Sequence, residues 1–209
     1  MLIKKPIILC LLSFIVVAIT ACSNDAKLQA LDSDATILAF GDSLTYGTGT
    51  SREKAYPAIL AKLIGRKVIN AGVPGEISNK GLSRLPALIK QHQPDLIILC
   101  HGANDILRKL DIDQTKTNLQ KMIDLARQNN SQVVLIGVPE FSLFLSPSPI
   151  YQQLAEENQL PVANEILPEI LGNNALKSDH VHPNTKGYQS LAENISLLLR
   201  QSGGIETAD

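Results

Sequence analysis

Short runs of consecutive apolar residues, separated by longer amphipathic stretches, constrain this chain more than any other feature. Thr36-Ile37-Leu38-Ala39-Phe40, Val68-Ile69-Asn70-Ala71, Leu96-Ile97-Ile98-Leu99-Cys100 and Val133-Val134-Leu135-Ile136 are such runs, with Leu160-Pro161-Val162-Ala163 as a short fifth. A strand with one face in water alternates apolar and polar residues. One that is apolar at successive positions is covered on both faces, as in a parallel sheet between helices. The intervening segments supply those helices. Tyr56 to Ile64 places Ile59, Leu60, Leu63 and Ile64 on one stripe, and Leu82, Leu85, Leu88 and Ile89 repeat the spacing before Gln93-Pro94. Leu119, Met122, Ile123 and Ala126 form a third stripe, closed by Asn129-Asn130, and a last helix runs from Thr185 to Leu199. Strands alternating with helices of this length predict βαβ units in a single-domain, three-layer α/β/α sandwich around a mostly parallel five-stranded sheet. Hydrophobic residues make up 44% of the 209 and charged residues 19%, enough for a packed core.

The first residues form a separate unit. Lys4 and Lys5 precede an apolar stretch from Ile7 to Ile19, and Thr20-Ala21-Cys22 follows at once. A positive region, an apolar run and small residues, in that order, make a secretory signal peptide, and the run is too short to span a bilayer comfortably, which argues against a permanent transmembrane helix. Ile19-Thr20-Ala21-Cys22 further resembles the bacterial lipoprotein cleavage motif. That resemblance implies a leader of residues 1–21 and lipidation of Cys22, against the alternative of ordinary cleavage beside a chance cysteine. In Gram-negative lipoproteins an aspartate after the cysteine means inner-membrane retention. Ser23 in that position points to an outer-membrane anchor facing the periplasm. Residues 22–34 then read as the lipidated end and a tether, 35–200 as the domain and 201–209 as a tail. With Cys10 in the leader and Cys22 lipidated, Cys100 stands alone and no internal disulfide is available. A net charge of -1 without a basic stripe argues against a nucleic-acid partner, and a monomer is expected.

In an open parallel sheet, ligands bind beyond the carboxyl ends of the strands. Directly after the first apolar run comes Gly41-Asp42-Ser43-Leu44, after the second Gly72-Val73-Pro74-Gly75, and after the third Gly102-Ala103-Asn104-Asp105. Before the last helix comes Asp179-His180-Val181-His182-Pro183. Each has a plain structural reading: a capped turn, a strand end, a helix cap, and a solvated loop or two-histidine metal site. Together they offer complementary chemistry. Ser43 is a weak nucleophile that needs a base, His182 can take its proton, and Asp179 can hold the imidazole in the useful tautomer. The Ser43 and Gly75 backbone N–H groups and the Asn104 side-chain amide are candidate donors to an oxyanion. Asp42 and Asp105 read as structural hydrogen-bonding residues, and Cys100, ending an apolar strand, as a small core residue rather than a thiol nucleophile.

These blocks resemble the SGNH or GDSL hydrolases, over about Thr36 to Leu198. Asn70-Ala71-Gly72-Val73-Pro74-Gly75, Gly81-Leu82-Ser83-Arg84-Leu85-Pro86 and Gln91-His92-Gln93-Pro94-Asp95 are most similar to the bacterial thioesterase, arylesterase and lysophospholipase branch. The resemblance implies a flavodoxin-like sheet and a carboxylic ester hydrolase. It implies Ser43 as nucleophile, Asp179 and His182 as acid and base, and Ser43, Gly75 and Asn104 as the oxyanion hole. Gly72 competes with Gly75 as the second-block glycine; Glu76-Ile77-Ser78, continuing into a helix, favours Gly75. No metal or organic cofactor is needed for this chemistry.

The residues do not separate esters from thioesters, which share a tetrahedral mechanism. Ile106, Leu107, Phe141 and Phe144 are candidates for an apolar substrate wall, and Pro147 and Pro149 suggest a stiffened loop beside it. A periplasmic setting favours lysophospholipids, fatty-acid esters or acetylated sugars over cytosolic thioesters. A carbohydrate acetylesterase, or a non-catalytic lipoprotein binding lipid or glycan, is the competing class.

Overall fold

A computed structural model describes residues 26–142 and 145–206. The expected leader, the lipidation site Cys22 and the wall candidate Phe144 lie outside the described residues. Five strands form one parallel sheet: β1 (Thr36–Gly41), β2 (Lys67–Gly72), β3 (Leu96–Cys100), β4 (Gln132–Ile136) and β5 (Val162–Ala163). Their spatial order is β2-β1-β3-β4-β5, the flavodoxin-like order implied by the resemblance. The chain steps from β1 to one side for β2 and then to the other side for β3. The crevice that this reversal leaves at the carboxyl end of β1 is the place where such sheets bind ligands.

The helices follow from the apolar stripes. α1 (Ser43–Tyr46) is a single turn, followed by α2 (Tyr56–Ile64), α3 (Ser78–His92), α4 (Ala103–Leu107), α5 (Ile112–Gln128), α6 (Pro149–Asn158), α7 (Ile166–Gly172) and α8 (Thr185–Gln201). α2 packs on α8 and α3 on α5, so the sheet lies between two helical layers. β1 and β3 are buried along almost their whole length, which accounts for their unbroken apolar runs. Pro86 sits inside α3, on its exposed side, where water can take the carbonyl that its missing N–H leaves free. Gln93 ends that helix in the left-handed conformation at φ 42°, donating its N–H to Ile89 O just before Pro94.

The ends of the domain extend further than expected. Leu28 N–H donates to Ser202 O and Leu31 N–H to Gly204 O, and Leu31 and Ile205 are both buried in the core. Part of the expected tether and part of the expected tail are thus paired and packed as domain. Pro149 is also not loop: it is the first residue of α6, where its fixed φ suits a helix start and no N–H is required.

Candidate active site

Asp42 caps α1 by accepting the Leu44 N–H at 3.1 Å, which fixes the turn that lifts Ser43 from the end of β1. Ser43 is the first residue of that turn, so its own N–H has no partner within the helix. Asp42 is fully buried, and burial pushes its carboxyl up, opposed by the neighbouring His101 and His182 and by the Leu44 N–H.

The histidine arrives from the other end of the chain. Asp179 Oδ1 accepts the backbone N–H groups of Val181 at 2.8 Å and His182 at 2.9 Å, folding the segment into one tight turn. The turn brings Asp179 Oδ2 to 2.8 Å from His182 Nδ1, and His182 Nε2 to 3.0 Å from Ser43 Oγ. Burial is the largest single influence and works to raise the Asp179 carboxyl, but the Val181 N–H and the hydrogen bonds and charge of His182 together outweigh it and hold the group below its ordinary range. An ionised Asp179 fixes the proton on His182 Nδ1 and leaves Nε2 free to accept from the serine. His180, beside it, is exposed and plays no part in this chain of bonds.

Asn104, in the first turn of α4, donates through its side-chain amide to Glu76 O at 3.0 Å and Asp42 Oδ2 at 3.2 Å. Gly75 adopts φ +75°, and its carbonyl accepts Arg108 Nη2 at 2.8 Å. Among the described residues, the Ser43 and Gly75 N–H groups have no acceptor. Ser43, Gly75, Asn104 and His182 all line one cavity of about 260 Å³, shared with Leu44, Thr48, Pro74, Ala103, Leu107, Phe141 and Val181. A larger hollow of about 780 Å³, beside β5 and α8, shares no residue with it.

The structure separates the two competing glycines. A Cβ at Gly72 would sit 2.1 Å from Tyr46 N and 2.6 Å from Tyr46 Cα, so Gly72 lets β2 pass against the backbone of α1. A Cβ at Gly75 would meet only Arg108 Nη2, at an ordinary 3.7 Å, and the glycine is needed instead for its positive φ. Gly72→Ala is therefore expected to destabilise the fold by about 1–3 kcal/mol and to displace Ser43. Gly75→Ala should change activity more than melting temperature. Melting curves and ester turnover for both variants test the distinction, and equal melting losses would contradict it.

Of the expected wall, Leu107 and Phe141 line the cavity, whereas Ile106 packs against the core. Neighbours on a helix point about 100° apart, and α4 turns only one of the pair toward the site. Cys100 is fully buried and burial pushes its thiol well up, in keeping with a core role. Asp105 accepts the Ser78 N–H at 2.8 Å and its hydroxyl at 2.6 Å, tying α4 to the start of α3. Leu44, Pro74, Ala103 and Val181 belong to the four motifs but had no role singled out from the sequence, and Thr48 lies outside those motifs with no sequence signal of its own.

The chain belongs to the GDSL-like lipase/acylhydrolase family, which it matches over residues 39–190. It is a carboxylic ester hydrolase. It is 32% identical over 166 residues to thioesterase 1/protease 1/lysophospholipase L1 of Escherichia coli, covering 76% of this chain and 80% of that one. It is likewise 32% identical to an arylesterase of Vibrio mimicus over 168 residues, 75% of this chain and 84% of that protein. The psychrotrophic esterase EstA from Pseudoalteromonas sp., in a structure inhibited by monoethylphosphonate, superposes with a TM-score of 0.71 at 27% identity. The match covers 80% of this chain and 98% of EstA.

Proposed function

We propose that Ser43, His182 and Asp179 act as a catalytic triad and that the chain hydrolyses carboxylic esters or thioesters through an acyl-enzyme on Ser43. The observation that carries this reading is the continuous hydrogen-bonded path from Ser43 Oγ through both ring nitrogens of His182 to Asp179. His182 Nε2 takes the hydroxyl proton as Ser43 Oγ bonds to the substrate carbonyl carbon, giving a tetrahedral oxyanion. The Ser43 and Gly75 N–H groups and the Asn104 amide stabilise that charge, the Asn104 amide giving up its longer contact with Asp42. Collapse expels the alkoxide or thiolate, which His182 protonates. Water, deprotonated by the same nitrogen, then releases the acid and restores Ser43. Inhibition of EstA by a phosphonate supports probing this chain with reagents of the same class.

The cavity favours a short to medium acyl chain, in a fatty-acyl ester or a lysophospholipid. Its 260 Å³, at about 30 Å³ for a water-sized group, accommodates roughly nine such groups. Burying each added methylene should raise kcat/KM about fourfold until the hollow is full. A nitrophenyl ester series from acetate to palmitate reads this directly. The expected profile rises and then levels or falls, and a strict preference for acetate would overturn the acyl-chain reading in favour of an acetylesterase.

The N-terminal sequence supports an anchored form, held at the bacterial outer membrane through lipidated Cys22 and facing the periplasm. Metabolic labelling of the full chain with a palmitate analogue should mark the wild type but not Cys22→Ser. Equal labelling of both would remove the anchor from this proposal.

A further inference from the structure

Behind the oxyanion residues lies a charged cluster that the proposed reaction does not use. Glu76 follows Gly75 directly, and its side chain is only 8% exposed. Its carboxylate accepts Arg84 Nη2 at 2.6 Å and Arg84 Nε at 3.0 and 3.2 Å to its two oxygens. It also lies 3.1 Å from Nε2 of His101, whose side chain is fully buried. His101 Nδ1 accepts the Gly102 N–H at 2.9 Å, so the ring proton sits on Nε2 and is donated to Glu76. Arg84 in turn lies 4.3 Å from the centre of the Phe40 ring and reaches Gly41 O at 3.4 Å.

This one carboxylate therefore connects three pieces of backbone. Arg84 links it to Gly41, two residues before Ser43, and His101 links it to the segment that leads into Asn104. Glu76 itself continues the Gly75 loop, and its carbonyl is the closer acceptor of the Asn104 amide. All three candidate oxyanion donors are thus referred to the same side chain. Burial works against ionising Glu76, but the His101 and Arg84 hydrogen bonds prevail and lower its pKa to about 2. The anchor stays charged wherever a histidine base can work.

We propose that Glu76, clamped by Arg84 and His101, is a positioning residue that sets the geometry of the oxyanion hole. It acts through Gly75 and Asn104 and does not touch the substrate. The inference rests on the esterase reading above. An ion pair that only strengthened the fold would be neutral toward the transition state. A positioning residue instead affects kcat, because a misplacement of about 1 Å can cost on the order of a hundredfold.

The test compares wild type, Glu76→Ala and Glu76→Gln in the full chain. It reads kcat and KM on a nitrophenyl ester and affinity for a trifluoromethyl ketone, which forms a tetrahedral adduct. Glu76→Ala should lower kcat about 10- to 100-fold with KM within about threefold, and ketone affinity should fall with kcat/KM. Glu76→Gln, which keeps the shape without the charge, should recover part of the loss. If the alanine variant does not fold, the glutamine variant decides alone, with a loss of at least about fivefold in kcat expected. Wild-type kcat in the folded variants, or a change in melting temperature or KM only, overturns the proposal. A wild type that turns over no ester overturns the esterase reading as well, so the two failures are distinguishable.

Discussion

Replacing Ser43 by alanine should lower ester turnover by roughly 10⁴- to 10⁶-fold while leaving the fold intact. Ser43 Oγ has one partner among the described residues, His182 Nε2 at 3.0 Å, and contributes little to packing. Its loss therefore removes the proposed nucleophile without a cavity of consequence. His182→Ala should cost a similar factor, because the hydroxyl is then left without a base. The double variant should be hardly worse than either single one, since the two groups act in the same step. Labelling by a fluorophosphonate gives an independent reading: the wild type is marked, and Ser43→Ala is not. Labelling that persists in Ser43→Ala, or single losses that multiply in the double variant, would remove Ser43 from the nucleophile's role.

The second large effect is expected at Asn104. Asn104→Ala should lower kcat by about 10²- to 10³-fold, with KM changed little, the usual cost of one missing oxyanion donor. The substitution also leaves the Glu76 carbonyl and the Asp42 carboxylate each short of a donor. Asp42 is wholly buried, so some stability should be lost too, on the order of 1–3 kcal/mol. The two losses separate in a steady-state assay run below the variant's melting transition. Turnover within a factor of two of wild type would show that the backbone N–H groups suffice.

The sheet and the four site segments were legible because each is written in contiguous residues. An apolar run names a buried strand, and the residues directly after it must stand at its carboxyl end. Asp179 and His182 are also local, three residues apart and closed by a single turn. What was not legible depends on how elements meet. Glu76, Arg84 and His101 are spread over 25 residues and converge only once α3 packs against β1. Ile106 and Leu107 look alike in the sequence, and the setting of α4 decides which one faces the cavity. The helix α6 was hidden by Pro147-Ser148-Pro149, which reads as loop until Pro149 is seen to begin a helix. The outer boundaries failed for a related reason: Leu28 and Leu31 are too few to show a periodicity, and their partners are at the far end of the chain.

The pairing of those two chain ends has a mechanical consequence. Leu28 is stitched to Ser202 at the end of α8, and Gln29 N–H donates to the Gln132 side chain at the start of β4. Both contacts lie at the amino pole of the sheet, while Ser43 opens at the opposite pole, beyond the last residue of β1. A surface that grips the chain by its beginning, whether the proposed lipid anchor or a derivatised bead, therefore holds the molecule by its back. The mouth is left turned outward, toward whatever diffuses past.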